Sequence, residues 1–297
     1  MRRIFAVPVS SGIGRILIAG SLLLAAGCAG TVQQPQVEAF HQGVNATKVQ
    51  LDTAFASINQ MVTQDEVDRA ITLPNLKDED LITVLDADSI ARWDTAFAKI
   101  DQYAANLTLL ISPDNANDFG TATEGLAGAI AALSPSALPS PTVATAFAEF
   151  GRILIEVKGQ HDAVAAAQIA DPGIQKVFTE MAAVIGESSQ EAGSLRATVR
   201  SHWQLRMDDK RADFLAVQGE ARRSVVTGYI ALRNQRDAQD LQLGMLRQSI
   251  LDLAAAHGAL ARGSNIDLNS AVSLIQQELE ATRTLAEHFK ALQTQGQ

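Results

Sequence analysis

Apolar residues recur at intervals of three and four along most of the chain, beginning with Val37, Phe40, Val44, Thr47, Leu51, Ala54, Ile58 and Met61. That spacing holds one stripe of a 3.6-residue helix against a neighbour, and it predicts a helix over 36–72 that Pro74 ends. A polar, acidic connector, Asn75 to Asp88, leads to a second stripe of Ile90, Trp93, Phe97, Ile100, Ala104, Leu107 and Ile111, closed by Ser112-Pro113-Asp114. Residues 115–141 break the rhythm. Gly120, Gly125 and Gly128 sit among alanines and Pro135, Pro139 and Pro141 follow, which predicts a short helix near 118–133 and then an extended loop. Small residues there also admit a mobile flap or a membrane-inserting hairpin, although about a dozen apolar residues are too few to span a bilayer.

Thr142 opens a third long stripe of Val143, Phe147, Phe150, Leu154, Val157, His161 and Val164, expected to end before Asp171-Pro172-Gly173. From Ile174 onward there is no proline. Ile174, Val177, Met181, Val184, Leu195, Thr198 and Leu205 form one seam, and Leu243, Leu246, Ile250, Leu253, His257 and Leu260 form another. Between them, Met207 to Lys210 and Asn234 to Asp240 are polar on every side, so each is either a turn or a helical stretch crossing solvent. Gly263-Ser264-Asn265 has the chemistry of a helix stop followed by a helix start, and Leu268, Val272, Ile275, Leu279, Thr282, Ala286 and Phe289 carry the last helix. Seams of this spacing pack near 20°, so the expected fold is all-α: an elongated antiparallel helical bundle of six or seven long helices. No segment recurs at a fixed period with matching residues, which argues against a solenoid.

The composition supports this class, with abundant alanine, 5% aromatics and no alternating β-branched runs. The first 27 residues read differently. Arg2, Arg3 and Arg15 form a basic leader, Ile16 to Ala26 a short apolar run, and Ala26-Gly27 the small residues of a cleavage site before Cys28, the only cysteine. The run Leu24-Ala25-Ala26-Gly27-Cys28 resembles the lipobox of bacterial lipoproteins, with Ala25 standing where the family most often has Leu. The resemblance covers only about the first 30 residues. It implies a signal peptide over 1–27, a diacylglyceryl group on the Cys28 thiol, and a short tether over 28–36 before a periplasmic domain spanning 37–297. Ala29, where inner-membrane lipoproteins commonly carry Asp, implies the periplasmic face of the outer membrane. Two or three acyl chains, at ~0.8 kcal/mol per buried methylene, make such an anchor effectively permanent. With that cysteine lipidated no intramolecular disulfide or thiolate cluster can form.

Loss of the three leader arginines moves the formal charge from −9 to −12, which argues against nucleic acid as a partner. Within this acidic body, Arg196 to Arg236 is locally basic, and Arg196, Arg200, Trp203 and Arg206 form the candidate partner-binding patch, since Trp and Arg are enriched in interface anchors. The competing reading sets these arginines against acidic helices inside the bundle. His161, His202 and His257 fall on or beside apolar seams and are the candidates for a small-ligand or metal site. Two of them lack support: one turn away, His161 has only Leu154, Val157, Val164 and Ala165, and His257 only Leu253, Ala254, Leu260 and Ala261. Core histidines hydrogen-bonded to their surroundings are the plainer expectation, with no cofactor. The chain contains no Gly-x-Ser-x-Gly elbow, phosphate loop or dinucleotide fingerprint. The reading is therefore a lipid-anchored, non-enzymatic envelope module with an envelope protein as partner; the alternative is a ligand- or metal-binding bundle.

Overall fold

The computed structural model describes residues 29–71, 75 and 84–295. The leader, Cys28, Pro74 and most of the acidic connector lie outside the described residues. Among those described there are eight α-helices and no strand: α1 (Ala29–Ala70), α2 (Ala87–Leu109), α3 (Ala116–Ala131), α4 (Pro141–Val157), α5 (Ala163–Ile185), α6 (Leu195–Ala216), α7 (Ala221–Ala261) and α8 (Asn265–Gln295). The fold is an all-α helical bundle. None of these helices is long and apolar enough to cross a membrane.

Four helix starts are set by side chains that take over orphan backbone N–H groups: Asp86 accepts from Ser89 N, Ser140 from Val143 N, Asp162 from Ala165 N and Ser194 from Ala197 N. Asp162 corrects the sequence reading. The stripe expected to run from Val143 to Val164 is two helices, because α4 stops at Val157 and Asp162 begins α5 after a short turn. His161 lies exposed in that turn rather than on a seam. The expected stop at Asp171-Pro172-Gly173 is absent, and α5 carries Pro172 in its interior. Gly173 lets α5 close on α4, since a Cβ there would sit 2.8 Å from Ile153 Cδ1 and 3.2 Å from Phe150 Cα. The expected tether is, from Ala29 on, the first turns of α1. The helix expected near 118–133 is α3, which packs on α4 with Gly151 against Ile130.

α7 is the spine, packed against α1, α5, α6 and α8. At 1.5 Å per residue it is about 60 Å long. α1 runs antiparallel to it, with Gln36 near Gly263, Phe40 on His257 and Gly43 near Leu253. α8 folds back along the same face, so that Gln50 and Gln242 both bond Thr282 in the interior. Neither polar stretch of the basic region is a turn. Met207 to Lys210 and Asn234 to Asp240 are helical, and the chain reverses at 217–220, where Gly219 has a φ of +62°. Beyond Met207 in α6 and Leu232 in α7, neither arm of the resulting hairpin buries a residue.

Candidate functional site

Two features of this bundle combine polar chemistry with a defined geometry. The first is internal. His257 on α7 is fully buried among Phe40 of α1, Tyr103 of α2 and Asp171 of α5. Its Nδ1 lies 2.8 Å from Asp171 Oδ1 and its Nε2 lies 2.9 Å from the Tyr103 hydroxyl. Burial outweighs the nearby carboxylate and lowers the His257 pKa, so the ring is neutral at pH 7. The arrangement is then one tautomer, with Nδ1–H donating to Asp171 and Nε2 accepting from Tyr103. Burial raises Asp171, but hydrogen bonds from His257 and Gln175 prevail and hold its pKa below the usual carboxylate value. Burial, reinforced by the Asp171 charge, pushes the Tyr103 phenol well above its ordinary range. Gln175 also donates to Ala254 O at 2.6 Å, which ties α5 to α7 a turn away.

Both His257 nitrogens are thus engaged, and the one lone pair, on Nε2, is taken by the Tyr103 hydroxyl. The meeting of His257 with His161 that the metal-binding alternative requires does not form, because His161 is exposed in the α4–α5 turn. His202 is half-buried beside Trp203 and Arg206. Among the described residues no three His, Cys, Asp or Glu side chains gather at metal-binding distance. Asp171 and Tyr103 are the residues that sequence reasoning misses. Asp171 reads there as part of a helix stop, and Tyr103, three residues after Ile100 and four before Leu107, shares the buried face of α2 although the sequence stripe passes through its neighbour Ala104.

The second feature is the α6–α7 hairpin. At its base lie the four residues expected to form a binding patch, and the structure turns two of them inward. Arg196 makes a paired contact with Asp240, Nε to Oδ1 and Nη2 to Oδ2 both at 2.8 Å, and also donates to Glu187 O. Trp203 is buried and donates from Nε1 to Gln239 on α7. Arg206 stacks its guanidinium 4.8 Å from the Trp203 ring, and burial there lowers its pKa to about 10. Arg200 is half-buried and donates to Ser189 at 3.3 Å. Arg196 and Trp203 therefore fasten α6 to α7, while Arg200 and Arg206 are half-buried beside that contact.

Further out the hairpin changes character. Phe214 and Leu215 of α6 face Val225, Val226 and Tyr229 of α7 across a cavity of about 350 Å³ with apolar walls. Lys210 and Arg211 stand at its edge. Arg222 lies 4.6 Å over the Phe214 ring and Arg211 lies 5.6 Å over Tyr229. Leu215 is 78% exposed, and Val226 and Ile230 are each more than 40% exposed. No protein-family model, curated protein or solved structure matches this chain.

Proposed function

We propose that this protein is a lipid-anchored, non-enzymatic module of a bacterial envelope that presents the α6–α7 hairpin to a protein partner. The observation that carries this reading is the hairpin itself. α6 and the first part of α7 extend past Met207 and Leu232 without burying a residue, yet they expose large apolar side chains. The start of α1 lies beside the far end of α7, where Gln36 approaches Gly263. A lipid on Cys28 would therefore hold the membrane at one end of the spine and leave the hairpin tip up to about 60 Å away. The lipobox residues and Ala29 support anchoring at the periplasmic face of the outer membrane. The small base-of-hairpin surface at Arg200 and Arg206 would flank the contact.

Two measurements test this. Cys28→Ser should move the protein from the membrane to the soluble periplasmic fraction or stall its processing, and a correctly processed variant that stays membrane-bound removes the anchor. A photo-crosslinking residue at Leu205 or Leu215 should give a discrete adduct in cells, while one at Ile155, exposed on α4, should give none. Equal labelling from all three positions would remove the hairpin from the reading.

A further inference from the structure

We infer that the apolar trough near the hairpin tip seats an acidic amphipathic helix of a partner protein, which completes a three-helix bundle with α6 and α7. The inference deepens the reading of the hairpin as the presenting element and does not depend on the lipid anchor.

The shape argues for a helix. Lys210 and Phe214, and Arg211 and Leu215, are spaced i, i+4 on α6, while Val225 and Val226 stand one turn from Tyr229 on α7. Side chains at those offsets align along a helix axis. The two antiparallel arms therefore enclose a lengthwise trough, the groove into which a third helix packs in bundles. A helix lying in such a trough offers anchors at i, i+3 and i+4, which matches the apolar wall from Val225 to Tyr229. A flat bilayer fits a concave trough between two rods less well than a third rod does.

The charge argues for acidity. From Asp208 to Arg233 the hairpin carries Lys210, Arg211, Arg222, Arg223 and Arg233 against Asp208, Asp209, Asp213 and Glu220, a slight positive excess in a chain whose overall charge is −9, and the charged residues that line the trough itself are Lys210 and Arg211. Three of these cations are already paired within their own helix or its first turn: Lys210 with Asp213, Arg211 with Asp208 and Arg223 with Glu220. Such pairs are exposed and contribute little each, so an incoming carboxylate competes with them readily. Tip-to-tip pairing of two copies would bring these like-charged edges together, which disfavours a second copy as the occupant.

The test uses the purified whole chain and two fluorescein-labelled 18-residue synthetic helices with the same leucine face, one bearing glutamates and the other lysines on its polar face. Fluorescence anisotropy should show saturable binding of the glutamate helix at least tenfold tighter than the lysine helix, weakened by raised salt. Leu215→Glu with Val226→Glu should weaken it at least tenfold, and Lys210→Glu with Arg211→Glu should do the same. Both pairs of sites lie outside the buried core, and unchanged circular dichroism and melting would show the fold is kept. As a second readout, a spin label at Ile230 should be immobilised by the glutamate helix. Equal binding of the two helices, or binding that survives Leu215→Glu with Val226→Glu, overturns the inference. So does binding to phosphatidylglycerol vesicles with no binding of either helix, which would make the trough a membrane contact. Self-association in sedimentation that Val226→Glu abolishes would assign it to a second copy instead. Cross-linking from Leu215 in cells does not involve these peptides, so failure of the acidic-helix inference and failure of the presented-hairpin reading remain distinguishable.

Discussion

The hydroxyl of Tyr103 lies 2.9 Å from Nε2 of His257 although the two residues are 154 positions apart, and both side chains are fully buried. With Asp171 on the other ring nitrogen, this contact joins α2, α5 and α7 through one imidazole. Tyr103→Phe keeps the ring's volume but leaves Nε2 without a donor. It should lower stability by ~1–3 kcal/mol, the usual effect of orphaning a buried polar atom. Tyr103→Phe combined with His257→Phe should cost less than the two single changes added, because the double variant strands no acceptor on the imidazole. Strict additivity in urea unfolding would show that the hydrogen bond contributes nothing.

The same histidine makes stability depend on pH. Its folded pKa is below its ordinary value, so between the two the unfolded chain binds the proton and the folded chain does not. Stability from this group is therefore complete above about pH 6.5 and declines as pH falls toward the folded pKa. The facing groups are Asp171, Tyr103 and the Arg262 charge near Asp171. His257→Gln should lower the melting temperature at pH 7.5 but flatten its dependence between pH 7 and 5. A variant with the wild-type slope would place the titration elsewhere.

Glu278 acts in the opposite sense. Burial beside Ser249, with some repulsion from Asp252, raises its pKa to about 7, so the folded protein holds a proton there that the unfolded chain gives up above its ordinary carboxylate pKa. Its contribution is present at low pH and lost as pH rises toward and through 7. Glu278→Gln mimics the protonated form. It should leave the melting point nearly unchanged at pH 5 and raise it at pH 8; an equal change at both would reject the buried-acid account.

Arg196 and Asp240 hold the base of the hairpin through two parallel hydrogen bonds, with the arginine side chain only 14% exposed. Arg196→Ala leaves a partly buried carboxylate behind and should cost about 2 kcal/mol or more. Arg196→Ala with Asp240→Ala should recover part of that loss. If Arg196→Ala unfolds at the wild-type denaturant midpoint, the pair is an idle surface contact.

Gly173 offers a steric test of the α4–α5 contact. A methyl group at this position would approach the Phe150 backbone as well as the flexible end of Ile153, so Gly173→Ala should destabilise by ~1–3 kcal/mol despite the higher helix propensity of alanine. Ile153→Val in the same chain should recover only part of this, since the backbone clash remains. A stabilised Gly173→Ala would mean that the helices can separate without loss.

The helical period along this chain determined nearly all of what is local. Phe40, Val44, Leu51, Phe97, Phe147, Leu253 and Ile275 fall on buried faces by spacing alone, because a helix repeats its face every 3.6 residues regardless of its neighbours. The basic run is equally legible, since charge is a property of composition. Helix ends are less so: Asp162 falls inside an apolar stripe yet is a cap, and Pro172 has the look of a stop although α5 continues through it. A cap depends on one backbone geometry, and a proline's lost hydrogen bond can be outweighed by burial of the helix around it. Everything that required two helices to meet was decided by tertiary structure. His257 is visible as a seam residue, but Asp171 and Tyr103 become its partners only through the packing of α5 and α2 on α7. Arg196 and Trp203 have the composition of a surface and become fastenings once α7 supplies Asp240 and Gln239, while Phe214 and Tyr229 form a trough only because 217–220 reverses the chain. Periodicity specifies which face of a helix is apolar, and only the packing of helices against one another specifies what that face meets.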